Sequence, residues 1–260
     1  QNAEKVAYYV AVVAEKIVAY RGLNQLVLVS LARGGTPIGI LLKRYIQTYY
    51  GVDIPHYSVS IIRGRGIDET ALQYMFQQHP YAKIQFVDGW TGKGSISKEL
   101  DQAITSWNQR NLPKLDAYLA VLADPGRCAH FYGTKEDFLI PSACLNSTVS
   151  GLISRTVLNE AFMETGDFHG AKYYRELEKY DVSKAFIETI VAHYSETLVE
   201  QAKQAFVQEP IIAIPHWQGS QYIQDIQRQF NITNSHHIKP GVGETTRVLL
   251  RRVPWKILVN

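Results

Sequence analysis

The chain has 260 residues, 46% of them hydrophobic and 20% charged, the balance of a globular protein of one to two domains. Twenty-seven Lys and Arg against 24 Asp and Glu leave a net charge of +3, too small to argue for nucleic acid from charge alone. Two cysteines, Cys128 and Cys144, exclude a disulfide scaffold, and apolar runs such as 26–31 are far shorter than the roughly 20 residues a membrane span needs.

Along the chain, apolar residues at Val6, Val10, Val13 and Ile17 have helical spacing and predict a helix over 3–20 that ends before Gly22. The run 25–32 (QLVLVSLA) predicts a buried strand. Gly34, Gly35 and Pro37 break it and open a helix through Ile38, Leu41, Leu42 and Ile46. A second strand over 56–62 runs into Arg63-Gly64-Arg65-Gly66, and Asp68 or Thr70 caps a helix toward His79. The third strand is 83–87, followed by a glycine-rich turn and a helix over 95–111; the fourth is 117–123. Three rounds of strand, glycine-rich turn and helix predict an α/β fold, a doubly wound parallel sheet, over residues 1–145. Ligands of such sheets sit outside the carboxyl ends of the strands. From residue 146 to 260 the texture changes: 150–162, 171–180 and 183–208 read as helices, 210–215 (PIIAIP) as the one strand-like run, and the whole as a mainly helical second domain or cap. No basic and apolar leader opens the chain, so a cytoplasmic location is expected.

Chemistry concentrates in the turns. In Ser30-Leu31-Ala32-Arg33-Gly34-Gly35-Thr36 the glycines let backbone amides face inward as an anion nest, the next helix adds its positive end, and Arg33 adds a bidentate donor. In Asp88-Gly89-Trp90-Thr91-Gly92-Lys93-Gly94-Ser95 an acid at a strand end precedes glycines, a lysine and two hydroxyls. Gly94 separates Lys93 from Ser95, so this is not a P-loop. Asp88 suits ribose hydroxyls or the water shell of a divalent cation. At the far end, Arg247 and Arg251 lie four apart on one helical face, where they bind an anionic group across the cleft or pair with acids. His236 and His237 read as a surface pair. Cys144, before a helix start at Ser147 or Ser150, lacks a partner histidine that sequence can place.

This order of parts resembles a type I phosphoribosyltransferase. Five stretches, SLARGGTPIGILLKR, HYSVSIIRGRGID, FVDGWTGKGSI, IPSACLNSTVSGLISRTVLN and KPGVGETTRVLLRRVP, resemble the phosphoribosyltransferase-like proteins of bacterial tellurium-resistance and stress-response operons, some of which carry the label cysteine protease StiP. The resemblance implies transfer of ribosyl 5-phosphate from phosphoribosyl pyrophosphate (PRPP) to a nucleobase or base-like acceptor, with release of pyrophosphate and Mg²⁺ as cofactor. It implies that Ala32, Arg33, Gly34, Gly35 and Thr36 hold pyrophosphate, and that Asp88, Gly89, Trp90, Thr91, Gly92, Lys93, Gly94 and Ser95 hold the ribose and 5-phosphate. Arg63 and Arg65 then belong to a mobile loop hinged at Gly64 and Gly66 and act with Asp88 in catalysis. Phe138, Ile140, Ser147, Arg247 and Arg251 become acceptor-side candidates. The family's second acid is Gly89 here, which favours, as alternatives, a non-catalytic PRPP- or nucleotide-binding regulator, or a ribosyl-phosphate phosphorylase or hydrolase. The expected partners are these small molecules, without nucleic acid or membrane; type I relatives commonly dimerise, so a homodimer is among the expected assemblies.

Overall fold

The computed structural model describes residues 2–140, 146–159, 161, 163–164, 166–205 and 210–259. Strand β1 (Leu26–Ala32) takes the centre because its apolar side chains point to both faces: Leu26 and Leu28 enter one core layer, and Val27, Val29 and Leu31 the other. Around it, β2 (His56–Ile62), β3 (Gly66–Ile67), β4 (Lys83–Val87), β5 (Leu119–Ala123) and β6 (Phe131–Thr134) form a six-stranded sheet ordered β3-β2-β1-β4-β5-β6. All pairings are parallel except β2 with β3. The order reverses between β1 and β4, so the turns after those two strands open into the same crevice.

Helices α1 (Ala3–Arg21) and α2 (Thr36–Tyr50) cover one face, and α3 (Glu69–Gln78) and α4 (Ser95–Arg110) the other. The doubly wound α/β reading therefore stands. Asp68 caps α3 by accepting from the Ala71 amide at 3.0 Å, as the sequence allowed. From the second half, α6 (Ser183–Val191) and α7 (Glu196–Ala205) pack Ile187, Ile190, Leu198, Val199 and Ala202 into the layer made by α1 and α2. That part of the chain thus shares the first core.

Three expectations for the second half are corrected. Beyond the short helix α5 (Asn146–Val149), the predicted helix over 150–162 gives way to strand β7 (Ile153–Val157), and the start of the one over 171–180 to strand β8 (Gly170–Tyr173); the two pair as an antiparallel hairpin. Gly151, at φ +78°, ends α5, and the β-branched side chains of Ile153, Thr156 and Val157 suit a pleated surface better than a helix. Residues 210–215 form no strand: prolines at both ends remove donors, and Ala213 makes a single ladder-like bond to His130 O at 2.8 Å. Helices α8 (Gln218–Phe230) and α9 (Gly241–Leu249) finish the chain. Among the described residues, no helix is long and apolar enough to cross a membrane.

Candidate functional site

A cavity of about 1060 Å³ opens at the carboxyl ends of β1, β2 and β4, the position that the strand order favours. Ala32, Arg33, Gly34, Arg63, Asp88, Trp90, Thr91, Gly92, Lys93, Gly94, Ser95 and Arg247 all line it, so residues from the three sequence turns and from α9 meet in one space. Six cationic side chains reach the wall, Arg33, Arg63, Lys93, Arg155, Lys239 and Arg247, against the carboxylates Asp68, Asp88 and Glu244.

Arg33 is the best-defined of these. Its Nη1 donates to Ser147 Oγ at 2.6 Å and to the Ile153 carbonyl at 2.8 Å, which fixes the guanidinium on β7 and on the segment before it. Burial, then the positive fields of Arg155, Arg251 and Arg247, hold its pKa below the ordinary arginine value, with Tyr174 opposing. Among the described residues no carboxylate pairs with Arg33, whereas Arg247 has Glu244 at 3.8 Å.

Asp88 sits at the end of β4, half-buried, with its Oδ1 accepting from the Gly89 amide at 2.7 Å. Burial raises its pKa from 3.8 to about 7, against the smaller opposing effect of that amide. Asp88 is the one carboxylate of its turn, and among the described residues no group of three His, Cys, Asp or Glu could hold a metal ion. The donor set therefore does not build a protein-held Mg²⁺ site at Asp88.

The rest of the β4 turn is held by its surroundings. Thr91 donates its hydroxyl to Asp124 and accepts from the Gly126 amide at 3.1 Å, so it has no proton left for a ligand. Asp124 also takes the Cys128 and Ala129 amides at 2.9 and 3.2 Å. A Cβ on Gly126 would lie 2.0 Å from Gly92 O and one on Gly219 2.3 Å from the same atom: three backbones meet with no room for side chains. Lys93 donates to Ser235 O and Ile238 O at 3.1 and 3.4 Å, which ties the turn to the chain before α9.

Other candidates fall outside the cavity wall. Gly35 packs against the Val87 and Leu31 carbonyls, Gly89 is buried, and Thr36 bonds Ser58 Oγ at 2.8 Å. Arg65 is exposed; Arg63, which does line the cavity, donates to His236 Nδ1 at 3.0 Å. The expected mobile loop is a tight hairpin turn: Glu99 accepts from the Gly64 and Gly66 amides at 2.7 and 2.9 Å. Phe138 and Ile140 do not face an acceptor. Phe138 packs at a tilt against Tyr9 with Lys5 over its ring, and Ile140 is buried in the α1–α2 core. Arg251 is exposed and acts on Arg33 through its field. Cys144 lies outside the described residues. Sequence reading missed Arg155, Glu99 and Asp124; of these only Asp124, an acid at a strand end before Pro125-Gly126, carried a local signal.

Residues 1–191 match the family described as tellurite-like stress resistance cysteine protease StiP, and residues 217–260 match the PELOTA RNA binding domain. A protein of Acinetobacter baylyi named cysteine protease StiP is 36% identical over 277 residues, which cover 100% of this chain and 68% of that protein. Among solved structures, a hypoxanthine phosphoribosyltransferase of Trypanosoma cruzi in complex with the product IMP aligns with 70% of this chain and 93% of its own, at 14% identity and a TM-score of 0.37. A hypoxanthine-guanine-xanthine phosphoribosyltransferase aligns with 51% and 74%, at 12% identity and a TM-score of 0.30. These findings correct the expected activity. Transfer of ribosyl 5-phosphate from PRPP, with its two alternatives, gives way before a relative over the whole chain and a family that both carry a cysteine-protease name. The site agrees: Gly89 replaces the second acid, the Thr91 hydroxyl is already committed, Ile140 is a core residue, and Phe138 packs against that core.

Proposed function

The chain belongs to the StiP family of tellurite-like stress resistance proteins, and within it we propose that the cleft binds a small, multiply anionic ligand. One observation carries this reading: Arg33, Arg63, Lys93, Arg155, Lys239 and Arg247 meet on one cavity wall against three carboxylates, and among the described residues no carboxylate pairs with Arg33. Like charges gathered on one wall repel, so a bound polyanion relieves the repulsion and gains charge-assisted hydrogen bonds. The test is thermal unfolding with sodium tripolyphosphate. A ligand that binds only the folded state raises the melting temperature with concentration. The rise is expected in the wild-type protein and is weakened in Arg155→Gln, whose side chain is exposed. No rise at millimolar tripolyphosphate, or an equal rise in the variant, defeats the proposal.

The family's peptidase description, carried to this chain, falls on Cys144. Cys128 is unsuited to it: the thiol is buried, donates to Gly126 O at 3.0 Å, and is pushed up to about 12 by burial and then by Asp124. Residues 217–260 hold six Lys and Arg against two Asp and Glu, with Arg251, Arg252, Trp255 and Lys256 exposed, which supports RNA as a second polyanionic partner on that segment. Filter binding with single-stranded RNA tests it; retention is expected to fall in an Arg251→Gln, Arg252→Gln double variant.

A further inference from the structure

We propose that Ser60 and His169 form a nucleophile–base pair on the wall of the same cavity, and that the protein hydrolyses anionic esters there through a covalent serine intermediate. The substrate class rests on the polyanion reading above; the pair itself does not. Ser60 lies near the carboxyl end of β2, and its Oγ is 2.9 Å from His169 Nδ1. Both residues line the cavity. They come from distant parts of the chain, and one residue holds them together. The Asp68 amide donates to Ser60 O at 2.9 Å, while Asp68 Oδ2 accepts from the His169 amide at 2.8 Å. Asp68 is itself only 4% exposed and anchored as the cap of α3. It is a positioning residue in this account. Thr156 Oγ1, 2.7 Å from Ser60 Oγ, supplies a second hydroxyl on the opposite strand of the crevice.

The arrangement places a base within hydrogen-bonding reach of the hydroxyl, on a backbone that Asp68 holds in place. Ser60 Oγ attacks the ester carbonyl carbon as its proton passes to His169 Nδ1. The carbon–oxygen bond to the alcohol then breaks, and the departing alkoxide takes the proton from His169. Water attacks the acyl-serine carbonyl carbon and gives a proton to Nδ1; the bond from that carbon to Ser60 Oγ then breaks, Nδ1 returns the proton to Oγ, and the acid leaves. Thr156 can donate to Ser60 Oγ once that atom has lost its own proton. Arg33 and Arg155, on the same wall, suit the substrate's anionic group.

The experiment is labelling of the folded chain with an alkyl fluorophosphonate. Ser60 Oγ displaces fluoride and forms a stable phosphonyl ester. Intact-mass and peptide analysis are expected to find one adduct, on Ser60, abolished in Ser60→Ala and slowed at least tenfold in His169→Gln and in His169→Ala. A histidine that merely pins the hairpin would leave the labelling rate of Ser60 unchanged in variants that keep the wild-type circular dichroism. Absence of an adduct on Ser60 in the wild-type protein overturns the proposal without any variant, as does labelling that is indifferent to His169. Tripolyphosphate binding separates the two readings: labelling at Ser60 without polyanion binding keeps the pair and removes the anionic substrate class. Polyanion binding without labelling does the reverse.

Discussion

Replacing Asp88 by Asn tests how far the cavity floor excludes water. Burial lifts the Asp88 carboxyl from 3.8 in the unfolded chain to about 7. A folded state that holds a proton more tightly than the unfolded state loses stability as pH rises between those values. The contribution is therefore fully present below about pH 4 and falls away up to about pH 7, where the carboxylate finally ionises in place. The gap is worth at most about 4 kcal/mol at about 1.4 kcal/mol per pH unit. His56, pressed down to about 4 by burial and then by Lys43, acts in the other direction: stability is lost as pH falls from 6.5 towards about 4. The raw pH curve mixes the two, so the informative quantity is the difference between wild type and Asp88→Asn. Urea unfolding at about pH 5 and about pH 8 should show the variant gaining on wild type by a few kcal/mol at the higher pH, with an unchanged urea dependence. Equal pH dependence in the two proteins refutes the argument that this carboxyl is ionised against its surroundings.

Three further outcomes follow from the same contacts. Glu99→Gln weakens acceptance from the Gly64 and Gly66 amides, which should lower stability by about 2 kcal/mol and speed hydrogen exchange at those two amides by more than at neighbouring ones. Gly126→Ala places a methyl 2.0 Å from Gly92 O, between rigid backbones, so a loss of at least about 2 kcal/mol in chemical denaturation is expected, along with a weaker response to tripolyphosphate. Iodoacetamide on the native chain at neutral pH should leave Cys128 unmodified and label it only after unfolding, because its thiol is buried and pushed up to about 12; rapid native modification contradicts that assignment.

Much of this site was legible in the sequence because its signals are local. The apolar run of β1 and the glycines after β1 and β4 declare buried strands and turns within a few residues. The strand order then forces Arg33 and Asp88 into one crevice. What sequence reading missed depends on distant partners. The β7–β8 hairpin is steadied by Ser60 with Thr156 and by Asp68 with His169, about a hundred residues apart, so no window of the chain contains its cause. Arg155 becomes a cleft residue only because β7 is a strand, and Glu99 an anchor only because the Gly64–Gly66 turn folds onto α4. Phe138 and Ile140 failed as acceptor contacts for the opposite reason: apolar side chains near a site are as readily drawn into the core.

Calorimetric titration of tripolyphosphate into the wild-type chain and into Arg33→Gln bears most directly on the arginine-lined cleft. Saturable binding that weakens with salt in the wild type, and falls at least about tenfold in the variant, is the expected result. Absence of binding to the wild-type protein at low ionic strength, or full retention in Arg33→Gln with its fold intact, would contradict the account.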